Sequence, residues 1–220
     1  SQTFVDSHTI ELGSVDGSDI FYSLNNSDYR RYYEPIIINK QSIIYSYAQK
    51  NNLKSKTVSS EYFPRDDSKK IKILSTYANQ YAAAGDKTLI DQLRGGNNYR
   101  TGNWQGYRED LNVIVDISKV KKINSISLGC HQDVRSWIFY PKQVDYWSSI
   151  DGKNYTYQGK VLANFPDNIE GSMQKDFELN VTNLNARYIK IKAENYGVCP
   201  DWHLGAGGKT WIFVDEITIK

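Results

Sequence analysis

Short runs in which apolar and polar residues alternate recur along the whole chain, and polar turns separate them. This two-residue period is typical of β-strands that bury one face. Before residue 64 the pattern predicts the strands Thr9–Leu12, Ile20–Leu24, Ile36–Ile38, Ser42–Ala48 and Val58–Phe63. Their spacing suits a small sandwich.

The same pattern continues to the end of the chain. It predicts the strands Ile71–Leu74, Leu111–Ile117, Ile123–Leu128, Val144–Ile150, Tyr155–Val161, Lys175–Val181, Tyr188–Ala193 and Trp211–Ile219. The pair Asp151-Gly152 marks a hairpin, because glycine readily adopts the positive φ that tight turns need. A short helix is predicted near Asp86, whose carboxylate is placed to cap it. We therefore expect an all-β chain whose second part is a jelly-roll sandwich.

A polar segment opened by proline, Pro64-Arg-Asp-Asp-Ser-Lys-Lys70, interrupts the strand pattern. Such composition is typical of a linker. The predicted organisation is an immunoglobulin- or fibronectin-III-like domain over residues 1–64, a linker over 65–70 and the jelly roll over 71–220.

Composition narrows the range of partners. The 27 Lys and Arg residues nearly balance the 25 Asp and Glu residues, which leaves a formal charge of +2, so the chain lacks the basic excess of a nucleic-acid-binding surface. No apolar run approaches the roughly 18 residues of a transmembrane helix, and the first residues lack the order of a signal peptide. The 17 Tyr, 5 Trp and 7 Phe residues against 1 Met favour β-structure.

The residues that most often carry catalysis are few. His8, His131 and His203 stand in no nucleophile elbow, metalloprotease helix or phosphate loop. The cysteines Cys130 and Cys199 lack the paired spacing of a zinc site, and sequence alone leaves open whether they form a disulfide or remain buried thiols. From the residues alone, the case for an enzyme is therefore weak.

Aromatic side chains cluster with hydrogen-bonding groups in segments predicted as loops: Tyr99–Tyr107, Cys130–Trp137 and Asn195–His203. Sugar recognition uses this combination, because an indole covers the apolar face of a pyranose while fixed polar groups bind its hydroxyls. Trp104 and Trp211 are interpreted as core residues and Trp202 as exposed. For Trp137 both interpretations stay open.

Several motifs, in order, resemble the C-terminal part of bacterial β-N-acetylhexosaminidases of glycoside hydrolase family 20, notably the chitobiase-like enzymes of Bacteroides-type organisms. They are Asp91-Gln-Leu-Arg-Gly-Gly96, Trp104-Gln-Gly106, Ser136-Trp-Ile-Phe-Tyr-Pro141, Cys199-Pro-Asp-Trp-His203 and Trp211-Ile-Phe-Val-Asp-Glu-Ile217. This region is similar to discoidin, or coagulation-factor type-C, jelly rolls, which include family 32 carbohydrate-binding modules. The stretches Asp19–Ser27 and Ile43–Ala48 resemble the small chitobiase C-terminal domain.

The resemblance implies a non-catalytic accessory region of a secreted, periplasmic or cell-surface glycosidase, with a glycan and the parent catalytic domain as partners. Together with the aromatic loops it gives a set of candidate sugar-binding residues: Gln105, His131, Gln132, Asp133, Trp137, Trp202 and His203. Gln105 and His131-Gln-Asp133 depart from the His and Arg that those modules commonly place there, so the resemblance alone does not establish galactose specificity. The expected glycan contains an N-acetylhexosamine or galactose.

Many modules of this superfamily hold a structural calcium ion. The resemblance places its side-chain ligands at Asp91, Thr101 and Glu216, which backbone carbonyls would complete to the six to eight oxygens calcium takes. Two other functions remain open. In the first, the chain is a spacer that packs on the catalytic barrel without binding sugar. In the second, it is a free-standing hydrolase.

Overall fold

The structure is a computed structural model that describes residues 2–220. The chain divides into two compact units between Asp67 and Ser68, inside the segment that the sequence marks as a linker. Lys70, the last residue of that segment, already begins a strand of the second unit. Each unit has a hydrophobic core of its own.

The first unit consists of short strands. They are β1 (Gln2–Phe4), β2 (His8–Ile10), β3 (Asp19–Leu24), β4 (Arg30–Arg31), β5 (Ile36–Ile38), β6 (Ser42–Lys50), β7 (Leu53–Lys54) and β8 (Val58–Pro64). One sheet has the order β1-β8-β6-β3-β4, with β7 also paired to β6, and β2 pairs with β5. The core side chains are Phe4, Ile10, Tyr22, Ile36, Ile38, Ile44 and Tyr62.

The second unit is built from longer strands. They are β9 (Lys70–Ile73), β10 (Gln105–Tyr107), β11 (Leu111–Gln132), β12 (Gln143–Ser149), β13 (Thr156–Leu162), β14 (Met173–Ala193) and β15 (Ile212–Ile219). Their order is β10-β15-β11-β14-β12-β13, with β9 on the free side of the first part of β11. Short 3₁₀ helices cover Asn79–Tyr81, Gly85–Ile90 and Val134–Ser136.

The two longest strands connect the two layers of this unit. β11 and β14 pair antiparallel from Leu111 opposite Ala193 to Gln132 opposite Met173, and their register shifts after Asp116 and after Ile123. Such bulges bend strands, so one layer contains β9, β12 and β13, and the other contains β10 and β15. The all-β fold and the jelly-roll sandwich are thus confirmed.

Alternation along β11 shows how the sequence forms the core. Leu111, Val113 and Val115 are fully buried, while the intervening Asn112 and Ile114 are only partly covered. Burying one such aliphatic side chain contributes about 1.5–3 kcal/mol relative to leaving it exposed. The buried face of this part of β11 therefore stabilises the core of the second unit.

Two local predictions have different outcomes. The hairpin at Asp151-Gly152 is confirmed, since β12 pairs with β13 and Gly152 has a φ of +73°. The predicted helix near Asp86 is the 3₁₀ helix Gly85–Ile90, but Asp86 does not cap it. Its carboxylate instead accepts a hydrogen bond from the Tyr77 hydroxyl at 2.9 Å.

None of the helices in residues 2–220 is long and apolar enough to cross a membrane.

Candidate functional site

The first element of the candidate site is the turn that follows β11. The 3₁₀ helix Val134–Ser136 ends at Trp137, whose φ of +65° is left-handed. This conformation is uncommon for a residue with a side chain. Two backbone bonds hold it: the Trp137 amide donates to the Val134 carbonyl, and the Trp137 carbonyl accepts from Trp211 at 2.8 Å. They keep the indole at the surface, where it is 36% exposed.

The indole of Trp137 packs closely against a glycine-rich turn. A Cβ atom added to Gly205 or Gly208 would come within 2.4 or 2.5 Å of the ring. No real Cβ tolerates such a contact, so the ring position requires glycine at both places. The Gly205-Ala-Gly-Gly208 turn is therefore a seat for Trp137, a role that its sequence alone did not indicate.

His203 joins the two loops that form the site. Its Nδ1 accepts a hydrogen bond from the Gly205 amide at 2.9 Å, so Nε2 carries the proton and donates to the Val134 carbonyl at 2.6 Å. With both ring nitrogens engaged and the residue buried, His203 positions the loops and has no free nitrogen to offer a ligand.

Trp202, beside His203, is the most exposed tryptophan, at 49%. Its ring centroid lies 5.6 Å from that of His203 and 6.3 Å from that of Phe139. Phe139 is fully buried and supports the loop from below. Trp202 therefore presents about half of its surface to solvent on a packed base, and its exposure is as predicted.

Together these residues form a cleft of about 640 Å³, which we call the aromatic cleft. Its lining consists of Val134, Arg135, Trp137, Asn168, Glu170, Trp202, His203, Leu204 and Gly205. Arg135 and Glu170 form an exposed ion pair at its rim. Its volume lies within the range of small-molecule sites, about 300–1,000 Å³.

Two of the predicted sugar-binding residues lie elsewhere. Gln105 belongs to β10 and is fully buried. Its amide donates to the Gly85 carbonyl at 3.0 Å and accepts from the Tyr107 hydroxyl. The assignment of Gln105 as a surface contact is corrected: it ties β10 to the 3₁₀ helix Gly85–Ile90.

His131 is likewise buried, because β11 continues through Gln132 where the sequence predicted a loop. Its ring lies 4.9 Å from that of Trp104, inside a cluster of Tyr99, Trp104, Ile138, Trp211 and Phe213. Burial lowers its pKa, so the imidazole is neutral at pH 7. The assignment of His131 to the ligand surface is corrected too, while Trp104 and Trp211 are core residues as predicted.

Gln132 and Asp133 lie nearer the aromatic cleft but do not line it. Gln132 is buried, accepts from the Tyr140 amide at 3.2 Å and donates to the Pro166 carbonyl at 3.4 Å. Asp133 is partly buried, and its carboxylate accepts from the Ser136 hydroxyl at 3.1 Å. Both organise the turns around Trp137.

The residues predicted for calcium are brought together only in part. Glu216 is buried beside Asp91, and its Oε2 accepts from the Gln92 amide at 2.8 Å. Burial, with Asp91 nearby, raises the pKa of Glu216 to about 8. Thr101 is exposed, and its hydroxyl donates to the Asn98 carbonyl at 2.8 Å. Residues 2–220 contain no cluster of three or more His, Cys, Asp or Glu side chains arranged for a metal.

Two buried carboxylates side by side nevertheless fit a hard cation, which prefers oxygen ligands and favours their charged form. Asp91 and Glu216 would hold it, while the Thr101 hydroxyl donates to the Asn98 carbonyl.

Both cysteines are free and buried. Cys130 belongs to the main core, and Cys199 packs with Val134 and Phe139 under the aromatic cleft. Of the two alternatives for Cys130 and Cys199, the structure shows separate buried thiols.

The comparisons with known proteins concern the second unit. The family model described as F5/8 type C domain matches residues 70–211, and a search of curated proteins finds no match. Among solved structures, the C-terminal domain of a chitobiase from Bacteroides fragilis is 20% identical with a TM-score of 0.39. The match covers 68% of this chain and 92% of the chitobiase domain.

Two modules from Clostridium perfringens are also similar. The family 32 module of NanJ, solved with galactose, is 13% identical with a TM-score of 0.43, covering 69% of this chain and 93% of its own. CpGH89CBM32-5, solved with GalNAc-β-1,3-galactose, is 15% identical with a TM-score of 0.42. The match covers 69% of this chain and 94% of that module. Since the family model alone spans more than half of the sequence, the chain belongs to the F5/8 type C domain family.

Proposed function

We propose that the second unit is a non-catalytic carbohydrate-binding module and that the aromatic cleft is its sugar site. The observation that carries the proposal is the pair of half-exposed indoles, Trp137 and Trp202, on one cleft. An indole face covers the apolar C–H side of a pyranose. Rim groups such as Arg135, Asn168 and Glu170 supply donors and acceptors for its hydroxyls.

The affinity for a single sugar follows from these contacts. Each hydrogen bond to the ligand replaces one to water and contributes about 0.5–1.5 kcal/mol. A stacked ring and a few such bonds give a dissociation constant near 1 mM, or about −4 kcal/mol. Stronger retention on a surface requires several sites or a long glycan.

A glycan array followed by calorimetry tests this proposal, with oligosaccharides that contain N-acetylglucosamine or galactose. Trp202→Ala removes an indole that is already half in solvent, so we expect normal folding and at least tenfold weaker binding. Tyr33→Ala, at an exposed aromatic of the first unit, serves as the control and should bind like the wild type. Full binding by Trp202→Ala would refute the site.

The biological setting that we infer is the accessory region of a β-N-acetylhexosaminidase of the chitobiase type, acting outside the cytoplasm. In that setting the module holds the parent enzyme near its polymeric substrate. We also propose Ca²⁺ as a structural ion at Asp91 and Glu216, where it would neutralise the buried carboxylates.

An alternative function, docking on the parent catalytic domain without sugar binding, has one observation in its favour. In the first unit Phe21 and Tyr29 both pack on Tyr47, at centroid distances of 5.3 and 5.0 Å, and the Lys54 ammonium lies 3.6 Å from the Tyr47 centroid. Tyr29 is 44% exposed. Association of the chain with a separately expressed catalytic domain, abolished by Tyr47→Ala, together with an array that shows no sugar binding, would favour this function.

A further inference from the structure

A second cleft lies beside the aromatic cleft. It has a volume of about 380 Å³ and is lined by Gln132, Tyr140, Lys142, Ala163, Phe165, Pro166, Asp167 and Tyr196. We call it the Phe165 cleft. The loop 163–172 between β13 and β14 contributes to both clefts, since Asp167 lines one and Asn168 the other. The two clefts are therefore neighbours separated by one wall.

Several contacts fix that wall to the module, and three of them involve residues beside the clefts. The Pro166 carbonyl accepts from Gln132, the Asp167 carboxylate accepts from the Tyr196 hydroxyl, and Glu170 pairs with Arg135. These contacts engage the Pro166 carbonyl and the carboxylates of Asp167 and Glu170 with the rest of the module. The apolar side chain of Phe165 in the wall remains 37% exposed and meets the Tyr140 ring edge-to-face at 5.7 Å. A third exposed aromatic surface therefore lies at the site.

The distance between the clefts is short. Phe139 is the common base, because its ring centroid lies 4.7 Å from that of Tyr196 and 6.3 Å from that of Trp202. The Tyr196 and Trp202 centroids are consequently at most 11.0 Å apart, the two distances added. One oligosaccharide can reach both clefts.

Both cations that line the two clefts lie close to a carboxylate. Arg135 pairs with Glu170, and Lys142 lies 3.7 Å from Glu194. The Asp167 carboxylate is engaged by the Tyr196 hydroxyl. Because each cation at the clefts already has a carboxylate partner, neither cleft offers an unpaired positive charge to an anionic sugar. Such a lining fits neutral glycans.

We propose that the ligand is a neutral oligosaccharide whose adjacent rings occupy both clefts, one against Trp137 and Trp202 and the next against Phe165. This inference rests on the proposed function, since it extends the same sugar site. It assigns Phe165 a role in selecting chain length, and it makes the aromatic cleft the site that every ligand shares.

Calorimetry on the full chain tests the inference with galactose, N-acetylglucosamine, neutral tri- and tetrasaccharides that contain them, and a sialylated trisaccharide. We expect the neutral oligosaccharides to bind at least tenfold more tightly than the monosaccharides. Phe165→Ala should abolish this gain and leave monosaccharide affinity unchanged, whereas Phe165→Tyr should retain it. Trp202→Ala should weaken both, and Tyr33→Ala neither.

Each other result has a distinct meaning. Equal affinity for monosaccharides and oligosaccharides, an unchanged gain in Phe165→Ala, or preference for the sialylated sugar would overturn the inference while the proposed function stands. Absence of binding to every sugar by the wild-type chain would overturn both.

Discussion

The carboxyl group of Glu216 should make the stability of the second unit strongly pH-dependent. Its ordinary pKa of 4.5 is raised to about 8 by burial, with Asp91 and Asp215 adding to the rise. Lys69 and the hydrogen bond from the Gln92 amide act in the opposite direction. The folded state therefore retains a proton that the unfolded chain releases above pH 4.5.

The sign and size of the effect follow from linkage. Between pH 4.5 and 8 the folded state binds more protons, so the free energy of unfolding falls as pH rises. The contribution is fully present below pH 4.5 and is lost by about pH 8. At about 1.4 kcal/mol per pH unit, the loss between pH 4.5 and 7 is on the order of 3 kcal/mol.

The perturbation that isolates this group is Glu216→Gln, a neutral side chain of nearly the same shape. It should resemble the wild type near pH 4 and become progressively more stable than the wild type toward pH 8. Neighbouring Asp215, whose pKa burial also raises, remains in both proteins, so the difference between them reports Glu216. We expect that difference to grow by roughly 3 kcal/mol between pH 4.5 and 7.

Urea unfolding in the presence of a chelator, followed by tryptophan fluorescence, measures this directly. The 5 tryptophans all lie after residue 100, so the signal comes from the second unit alone and is not mixed with unfolding of the first. Parallel pH profiles for the wild type and Glu216→Gln would refute the reasoning.

Two further predictions concern the metal and the seat of Trp137. Calcium should raise the Tm of the chelator-treated wild type by mass action, and more at pH 8 than at pH 5. Glu216→Gln should abolish this rise. Identical Tm values with calcium and with chelator would refute the proposed calcium site. Gly205→Ala should displace the Trp137 indole, because the new Cβ would lie 2.4 Å from the ring. We expect it to lower the free energy of unfolding by about 1–3 kcal/mol and to weaken sugar binding in calorimetry. Gly207→Ala is its control, since that glycine has a φ of +78° but no neighbour within 4 Å: it should lose stability from backbone strain and keep its sugar affinity.

The sequence predicted the strands well where one face of a strand is exposed, and less well where both faces are covered. Alternation marks Leu111–Ile117 clearly, and the hairpin signal at Asp151-Gly152 needed only local chemistry. At His131 the strand is buried on both sides, because Trp104 and its aromatic neighbours cover the outer face. Alternation disappears there, and polar residues beside an aromatic then resemble a binding loop.

In the candidate site the exposure of Trp202 was predictable from the sequence, whereas that of Trp137 and the position of the walls were not. Trp202 stands in a Gly- and Pro-rich loop, which correctly indicated exposure. The loop 163–172 carries no tryptophan or histidine, and its closeness to Trp137 depends on how β13 and β14 are placed. Gly205 and Gly208 illustrate the same limit, since the ring they accommodate lies about 70 residues earlier in the sequence. Contacts of that range arise only in the folded chain.

The way the aromatic cleft is held bears on what kind of binding it can support. Trp137 is fixed by backbone bonds at both its amide and its carbonyl, and by a glycine seat. The loop that carries Trp202 is joined to the turn before Trp137 through both nitrogens of His203. A ligand that stacks on these indoles therefore orders little that is not ordered already, which reduces the entropic cost of association. The small contact area of one sugar keeps the affinity weak, whereas a rigid wall such as 163–172 lets each further ring add its contacts without a new ordering cost. Chain length, more than the identity of the first sugar, is then the variable through which this module can gain affinity.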